Sequence, residues 1–452
     1  MAMRLGLYQT VLSKRSVFAT PKSQVVHLIS TLKRQELNEG QAHVVIFEVL
    51  GKQKLAKYHR EFVKETFYLY PIAFADYFER HPKWLSDPDY NGLYLSYLST
   101  QPKAGESWNV SQLLQLPQDV NRFCLESNLK SGTDISTLNQ VLISHRLVAL
   151  SVSGAQPLTV SHLQANTPYQ YKQAQTVSVL VTAYNARNTL SICLQSLLKQ
   201  TWQSLEIIVI DDASTDDTAK IIHTFAKQDK RITGIYLPKN VGTFVAKSIG
   251  AGFATGEFLT CQDSDDFAHP QKIERQVLPL IDRPELIATT SQWLRLDECG
   301  RFYARQYYPF LRQNPASPLF RRERVEQEIG LWHLVRTGAD SEFWHRLKLY
   351  YGDDRIMAIK EPLTVASHRA DSLMNAGDFG VHDKASALRR LDYWEAWNLW
   401  HIACLSKKRQ PAMPSISEQI INPVFEVDER LLVNPDDIRY NLENLTIEKQ
   451  DD

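Results

Sequence analysis

Residues 177–183 read Val-Ser-Val-Leu-Val-Thr-Ala, a short apolar run that is followed by a polar segment and then by an amphipathic one. The same alternation continues to residue 261. Predicted strands cover 205–210, 232–237 and 257–261, and predicted helices cover 189–199, 216–226 and 243–254. Strands that alternate with helices at short intervals indicate a parallel sheet covered by helices. The sequence therefore predicts an open α/β sheet, in which ligands bind beyond the carboxyl ends of the strands.

The composition is that of an ordinary globular protein with more than one structural unit. The chain has 452 residues, 43% hydrophobic and 23% charged, and is too long for one average hydrophobic core. Lys plus Arg and Asp plus Glu both total 51, so the chain lacks the basic field that nucleic-acid binders use. The five cysteines are an odd number, lie far apart and form no CxxC pair, which argues against a disulfide framework and a thiolate zinc site. We therefore expect a cytoplasmic protein without a nucleic-acid partner.

Changes of pattern divide the chain into five parts. We predict a mainly helical N-terminal module at 1–158, a polar linker at 159–175, a catalytic domain at 176–380, an aromatic and basic helix at 381–410, and an extended tail at 411–452. No uncharged apolar run is long enough to span a bilayer. The aromatic residues of the helix at 381–410 suit packing on the catalytic domain. Its basic end, Lys407-Lys408-Arg409, alternatively suits peripheral binding to the anionic inner membrane.

Two acidic segments follow predicted strands. Asp211 and Asp212 end the strand at 205–210, and capping of the next helix, the simpler interpretation, explains Ser214 to Asp216 but not these two acids. Asp263 and Asp265 belong to the run Gln-Asp-Ser-Asp-Asp at 262–266. An Asp-x-Asp at a strand end offers hard oxygen ligands to Mg²⁺ or Mn²⁺, although a solvated acidic turn has the same pattern.

Further candidate residues follow near the end of the predicted catalytic domain. Asp340 and Glu342 stand at the start of a predicted helix, where a carboxylate could accept a proton from a hydroxyl group. A helix-start acid paired with Arg346 at i+4 is the competing interpretation. His368 has two interpretations, a third metal ligand and a structural histidine.

In combination and in this order, these segments resemble the family 2 glycosyltransferases, which have the GT-A fold. The resemblance covers about residues 176–374. It rests on Val177 to Asn185, on Asp211 to Asp216, on Asn240-Val-Gly242 with Ala246-Lys247, on Gly256 with Asp263 to Asp266, on Gly338-Ala-Asp340, and on His368 with Ser372-Leu373. Thr182 stands where many members have proline, and Ser248 where asparagine is usual.

The resemblance implies an inverting, single-displacement transfer of a sugar from a nucleoside-diphosphate donor, by family habit a UDP-sugar. It implies that Asp340 is the general base, with Glu342 as the alternative, and that a Mn²⁺ or Mg²⁺ ion binds Asp263, Asp265 and His368. The implied donor contacts are Ala183, Tyr184, Asp211, Asp212, Asp263 and Lys247. Lys247 and Arg346 are candidate contacts to the diphosphate or the acceptor, although a solvated lysine and an i,i+4 helix partner are equally good interpretations.

The expected acceptor is a saccharide or a lipid-linked saccharide, and surface polysaccharide synthesis is the expected context. A non-catalytic nucleotide-sugar-binding subunit of a polysaccharide-synthesis complex is the alternative. A nucleotidyltransferase would need a loop rich in glycine and basic residues after the first strand, and Tyr-Asn-Ala-Arg-Asn at 184–188 is not such a loop.

Overall fold

The computed structural model describes residues 21–101, 110–130, 133–154, 157–370, 372 and 383–449. The chain divides into two compact units. The first comprises Met1–Thr133, Gly300–Phe310 and Ala370–Asn398, and the second comprises Asp134–Cys299, Leu311–Arg369 and Leu399–Asp452. The first twenty residues of the predicted N-terminal module, Leu373 of the sequence motif and the acidic end of the tail lie outside the described residues.

The first unit is mainly helical, as the sequence predicts. Buried phenylalanines fill its core: Phe62, Phe67, Phe74 and Phe78 are at most 1% exposed. The ring centroids of Phe67 and Phe74 lie 5.4 Å apart, within the range of favourable aromatic contacts. Its helices are α1 Pro21–Lys33, α2 Glu39–Gly51, α3 His59–Thr66, α4 Pro71–Arg80, α5 Pro88–Ser99, α6 Val110–Leu114 and α7 Val120–Lys130, with 3₁₀ turns at Gln53–Tyr58, Phe67–Leu69 and Pro82–Ser86.

The second unit contains a mixed sheet and a small two-stranded ribbon. The ribbon consists of β1 Ser151–Val152 and β2 Leu163–Gln164. The other strands of the chain are β3 Val177–Ala183, β4 Leu205–Asp211, β5 Ile232–Tyr236, β6 Phe258–Asp263, β7 Phe267–Ala268, β8 Ala288–Asp297, β9 Phe302–Tyr303, β10 Arg312–Gln313, β11 Leu319–Arg321, β12 Ile356–His368 and β13 Thr446–Lys449. The strand order of the large sheet is β13-β5-β4-β3-β6-β11-β8-β12-β7.

The central strands of this sheet are parallel and buried on both faces. β3 pairs in parallel with β4 and with β6, and β4 pairs in parallel with β5. All seven residues of β3 are buried, because helices cover both faces. The remaining helices are α8 Ile135–Ser144, α9 Leu190–Leu198, α10 Thr218–Gln228, α11 Thr243–Ala251, α12 Lys272–Asp282, α13 Arg322–Glu328, α14 Ala339–Tyr351, α15 Lys384–Ser406, α16 Ile416–Ile421 and α17 Pro435–Asn444, with 3₁₀ turns at Val160–His162, Asp353–Arg355 and Glu429–Leu431.

The helix packing follows from the residues on each face of the strands. Val177, Val179 and Val181 belong to the same hydrophobic cluster as residues of α9 such as Leu194. On the opposite face α11 approaches the sheet at Gly250, where an added Cβ would lie 2.6 Å from Cδ1 of Ile210. The helices and the parallel sheet confirm the predicted α/β class.

Two predicted boundaries differ from the structure. The predicted linker at 159–175 belongs to the second compact unit, and its Val160 and Leu163 are 6% and 2% exposed. The tail, predicted to be extended, contains α16, α17 and β13. The prolines of the tail suggested an irregular chain, but Pro435 occupies the first turn of α17, where its missing N–H is not needed.

The aromatic helix predicted at 381–410 corresponds to α15. Its side chains Tyr393 and Trp397 are 3% and 1% exposed, as packing in a protein core requires. Among the described residues, no helix combines the length and the apolar character needed to cross a bilayer.

Candidate active site

Three of the predicted donor-binding positions lie at one edge of the sheet. Ala183 is in register with Asp211 on the neighbouring strand β4, and Thr182 is in register with Asp263 on β6. Because these strands are parallel, their carboxyl ends and the loops that follow them meet at the same edge. The structure therefore brings together the strand-end residues that the sequence singles out.

The loops after β3 and β4 hold each other in place at this edge. The backbone N–H of Asn185 donates to Oγ of Ser214 at 2.9 Å, and Oδ1 of Asn185 accepts from the backbone of Thr215 at 2.9 Å. Asn185 and Ala213 have left-handed backbones, with φ of 49° and 60°. Between these bonds Tyr184 leaves the sheet with 53% of its surface exposed, so its ring is available to a ligand.

Asp211 and Asp212 support loops with their carboxylates. Asp212 is 3% exposed, and its two carboxylate oxygens accept from the backbone of Val241 at 2.8 Å and of Gly242 at 2.7 Å. Burial raises the pKa of Asp212 to about 6, although these hydrogen bonds oppose the shift. Asp211 is 4% exposed and accepts from the backbone of Ser214 at 3.0 Å. Both side chains are therefore engaged within the protein, and the predicted direct contacts with a base or ribose are not prepared in this conformation.

Lys247 forms a buried ion pair beneath the strand ends. Its side chain is only 4% exposed, and Nζ lies 3.1 Å from Oδ1 of Asp263. Burial opposes the charge of Lys247, but nearby acidic groups, first Asp263 and also Asp340, raise its pKa. A solvated lysine is thus excluded. Lys247 pairs with the acid at the end of β6, and the charge of the acid at the start of α14 adds to the rise of its pKa.

The acidic run after β6 is crowded. Burial, and then repulsion from Asp263, raise the pKa of Asp265. Burial and the charges of Asp265 and Asp263 raise the pKa of Asp266 well above its usual range. Asp266 also accepts from the backbone N–H of Ser367 on β12 at 3.0 Å. Such a cluster binds protons readily unless cations compensate its charge.

Two arginines that the sequence did not single out lie beside this cluster. Nη2 of Arg369 lies 3.4 Å from Oδ2 of Asp265, and Arg295 on β8 lowers the pKa values of Asp265 and Asp266. The guanidinium of Arg295 also stacks 4.0 Å from the ring centre of Trp293. The sequence carries one signal for both arginines, since each stands near the end of a strand of the same sheet.

The predicted set of three metal ligands is not assembled. In the part of the chain that the structure describes, no group of three His, Cys, Asp or Glu side chains could hold a metal ion. His368 is in register with Asp297 at the end of β12, and Lys247 and Arg369 pair with the two aspartates. The side chains of Asp263 and Asp265 remain 38% and 24% exposed. A Mg²⁺ ion usually takes one or two carboxylates together with phosphate oxygens and water, so these two residues fit a metal that arrives with a diphosphate.

Asp340 stands in the first turn of α14, as predicted. Gly338 precedes the helix with a left-handed backbone, φ 85°, and Oδ1 of Asp340 accepts from the N–H of Ser341 at 2.8 Å. The side chain is half-buried, and its charge acts on Lys247. Asp340 and Asp263 therefore both raise the pKa of Lys247, although 77 positions separate them in sequence.

Glu342 does not suit the role of alternative base. It is fully buried, and Arg346 donates to both of its oxygens at 2.8 and 3.0 Å. Nε2 of His401 lies 3.0 Å from Oε1 of the same carboxylate. Burial alone would raise the pKa of Glu342, but Arg346 and His401 lower it to about 2. A carboxylate that is buried, paired and so weakly basic cannot reach a substrate proton, and Arg346 is its i,i+4 partner.

The comparison with protein families agrees with this geometry. Residues 178–339 match the model of the family described as Glycosyl transferase family 2. The chain contains a family 2 glycosyl transferase domain. The matched segment begins in β3 and ends at the residue before Asp340, so it includes the sheet edge described above. The α/β domain is therefore the GT-A fold that the resemblance predicts.

Relatives of the family 2 domain carry glycosyltransferase names. Glycosyltransferase GlyG of Streptococcus pneumoniae serotype 4 is 39% identical over 131 residues, which are 29% of this chain and 43% of that protein. The putative teichuronic acid biosynthesis glycosyltransferase TuaG of Bacillus subtilis is 36% identical over 107 residues, 24% of this chain and 42% of that protein. The chain thus spans less than half the length of these relatives.

One solved structure to which the chain is similar is that of Staphylococcus aureus TarS, residues 1–349, in complex with UDP-GlcNAc. It is 18% identical, covers 50% of this chain and 72% of that chain, and has a TM-score of 0.37. At that TM-score the likeness supports no conclusion about the ligand of this chain.

Proposed function

We propose that this chain is an inverting, metal-dependent glycosyltransferase that moves a sugar from a nucleoside-diphosphate donor to a saccharide or lipid-linked acceptor. One observation carries the proposal: Asp263 of the acidic run and Asp340 of α14 both act on the buried Lys247. Acids suited to the donor side and to the acceptor side of a transfer reaction therefore act on the same buried cation.

The donor would bind along the sheet edge, with UDP as the nucleotide that the family resemblance favours. The exposed ring of Tyr184 and the backbone of Ala183 would contact the base, since both follow the first parallel strand. Asp211 and Asp212 would act mainly by holding the loops around the base, and Asp263 would lie near the ribose. Lys247 would hold the carboxylate of Asp263 in position.

Asp263 and Asp265 would hold a Mn²⁺ or Mg²⁺ ion, with His368 as a further ligand once the donor is bound. Such an ion neutralises negative charge on a departing diphosphate. Arg369 and Arg295 lie beside Asp265 and would add positive charge at the same place. The two carboxylates, which repel each other in the free protein, suit a role in cation binding.

Asp340 would act as the general base. As the acceptor oxygen forms its bond to the anomeric carbon, the bond from that carbon to the diphosphate oxygen breaks, and the acceptor proton passes to the Asp340 carboxylate. The nucleoside diphosphate leaves on the opposite face, which inverts the anomeric configuration.

The proposed context is surface polysaccharide synthesis at the cytoplasmic face of the membrane. The name of the relative TuaG, in teichuronic acid biosynthesis, supports a polysaccharide product. The last turns of α15 support peripheral membrane binding, because Leu399, Ile402 and Leu405 are 46%, 39% and 41% exposed and the basic residues 407–409 follow them.

The test measures release of the nucleoside diphosphate from a panel of nucleotide sugars, with Mn²⁺, with Mg²⁺ and with EDTA. We expect turnover with one donor, and loss of that turnover in EDTA. Asp340→Asn should retain binding of UDP in calorimetry but lose about 10²–10⁴-fold in turnover, the usual contribution of a general base. Asp353→Asn is the matched control, because the side chain of Asp353 is 80% exposed and pairs with Lys348 outside the cleft.

Each outcome decides one part of the proposal. Full turnover by Asp340→Asn would show that Asp340 is not the base. Full turnover in EDTA would show that the reaction does not depend on a metal ion. Binding of a nucleotide sugar by the wild-type protein without any turnover would favour the non-catalytic subunit instead.

A further inference from the structure

The C-terminal part of the chain, beyond the matched family segment, contacts the loop that leads to Asp340. This loop, residues 329–338, connects α13 to α14. The N–H of Met413 donates to the carbonyl of Ile329 at 2.7 Å, and the N–H of Arg336 donates to the carbonyl of Leu431 at 2.8 Å. Both ends of the loop are therefore held by residues that follow α15.

Gln419 holds the middle of the same loop. Its Oε1 accepts from the backbone of Leu334 at 3.1 Å, and its Nε2 donates to the carbonyl of Trp332 at 3.2 Å. Val335 forms a further antiparallel bridge with Leu432. A segment whose backbone groups bond to a second segment in this way has little freedom to change conformation.

A buried cluster of three side chains joins this loop to α14 and α15. Arg346 of α14 is fully buried and donates to the carbonyls of Ile329, Gly330 and Leu331 as well as to Glu342. His401 of α15 completes the cluster through its bond to Glu342, and only 7% of its side chain is exposed. His401 is therefore shielded from substrate, and its bond to Glu342 links it to the first turn of α14.

We propose that His401 is a positioning residue for Asp340. Glu342 stands two residues after Asp340 in the first turn of α14, so the partners of Glu342 determine how that turn is rotated. Arg346 ties Glu342 to the loop at 329–331, whereas His401 comes from another helix and ties it to α15. The inference rests on the proposed function, because Asp340 must be the base for its position to matter.

The test compares His401→Leu with His401→Gln, using the donor that the panel identifies. Leucine removes the hydrogen bond, whereas the amide of glutamine can still donate to Glu342. A small misplacement of a catalytic group can cost about 10²-fold in rate, so we expect kcat of His401→Leu to fall by about 10-fold to 100-fold. The donor KM and the Kd for UDP should stay unchanged, and His401→Gln should recover most of the rate.

His223→Leu is the matched control. His223 also pairs with a glutamate, with Nδ1 2.5 Å from Oε1 of Glu448, but on α10, away from Asp340. This variant should keep the wild-type kcat. Circular dichroism and thermal unfolding of all variants show whether each is folded. Gln419→Ala provides a second probe of the loop at 329–338, with His401 intact.

The outcomes separate this inference from the proposed function. If wild-type protein turns over, Asp340→Asn is inactive and folded His401→Leu keeps the wild-type kcat, His401 has no positioning role. A parallel loss of UDP binding and turnover in His401→Leu also contradicts the inference, because it would indicate general damage to the site. If Asp340→Asn itself is active, the assignment of Asp340 as the base in the proposed function is wrong, and the role of His401 is wrong with it.

Discussion

The Glu342 carboxylate shows how one residue changes role with its surroundings. The sequence offered two interpretations of it, an alternative base and the i,i+4 partner of Arg346, and the structure contains the second. Spacing along a helix reveals such a pair because both residues belong to one element. The other partner of Glu342, His401, lies 59 positions further along the chain, so no local sequence pattern indicates it.

The low pKa of Glu342 makes a prediction about acid stability. Its pKa falls from 4.5 to about 2 on folding, so its contribution to the free energy of unfolding is present above pH 4.5 and is lost as the pH falls towards 2. We expect Glu342→Gln to be less stable at pH 7 by about 3–5 kcal/mol, because Arg346 stays buried without its counter-charge. The difference from wild type should shrink below pH 4.5.

Urea unfolding of both proteins between pH 7 and pH 3 measures this difference. The burial of His269 lowers its pKa to about 4, so both proteins also lose stability below pH 6.5. Subtracting the two curves removes that shared loss. A difference that stays constant through pH 4 to 3 would show that the Glu342 carboxylate is not stabilised by its partners.

At the scale of the element, the loop at 329–338 depends on one glycine. Gly330 has φ 68°, and an added Cβ would lie 1.9 Å from the carbonyl oxygen of Met413. We expect Gly330→Ala to destabilise the protein by more than about 1 kcal/mol, because both the left-handed backbone and the close contact oppose a side chain. It should also lower turnover, since the loop leads to Asp340.

Gly51→Ala is the control for that substitution. Gly51 ends α2, and an added Cβ there meets no atom within 4 Å. Alanine is favoured over glycine in helices by about 0.5–1 kcal/mol, so this variant should be as stable as wild type or slightly more stable. Thermal unfolding compares the two, and equal stability of both variants would mean that Met413 and Gly330 separate easily.

At the scale of the whole molecule, the proposed membrane association depends on the exposed end of α15. Each Lys or Arg near an anionic membrane surface contributes about 1 kcal/mol, so replacing Lys407, Lys408 and Arg409 by glutamine should weaken binding about 100-fold. Flotation with phosphatidylglycerol-containing liposomes measures the effect. Replacing the exposed Lys220, Lys227 and Lys230 gives a control with the same change of charge. Equal flotation of both variants, or none by wild type, would contradict membrane binding through α15.

The sequence alone predicted four strands of the eleven-stranded sheet, the central parallel ones. Apolar runs and amphipathic repeats are local signals, so β3, β4, β5 and β6 appear within one or two residues of their predicted bounds. The helix predicted at 216–226 begins later, at Thr218, because Asp216 precedes it and accepts from the N–H of Thr218 at 2.9 Å. The C-terminal helices and β13 were missed because their residues are polar and gain their order from contacts with distant parts of the chain.

What the sequence by itself determined is the order of strands and helices, and the acids that end the strands. Only the tertiary structure decided which acids stay accessible. Asp212 and Glu342 are buried and bonded within the protein, whereas Asp263 keeps an exposed side chain beside Lys247 and Asp340 is only half-buried. The physical reason is that burial and charge compensation depend on residues that are distant in sequence, and no local pattern of residues records them.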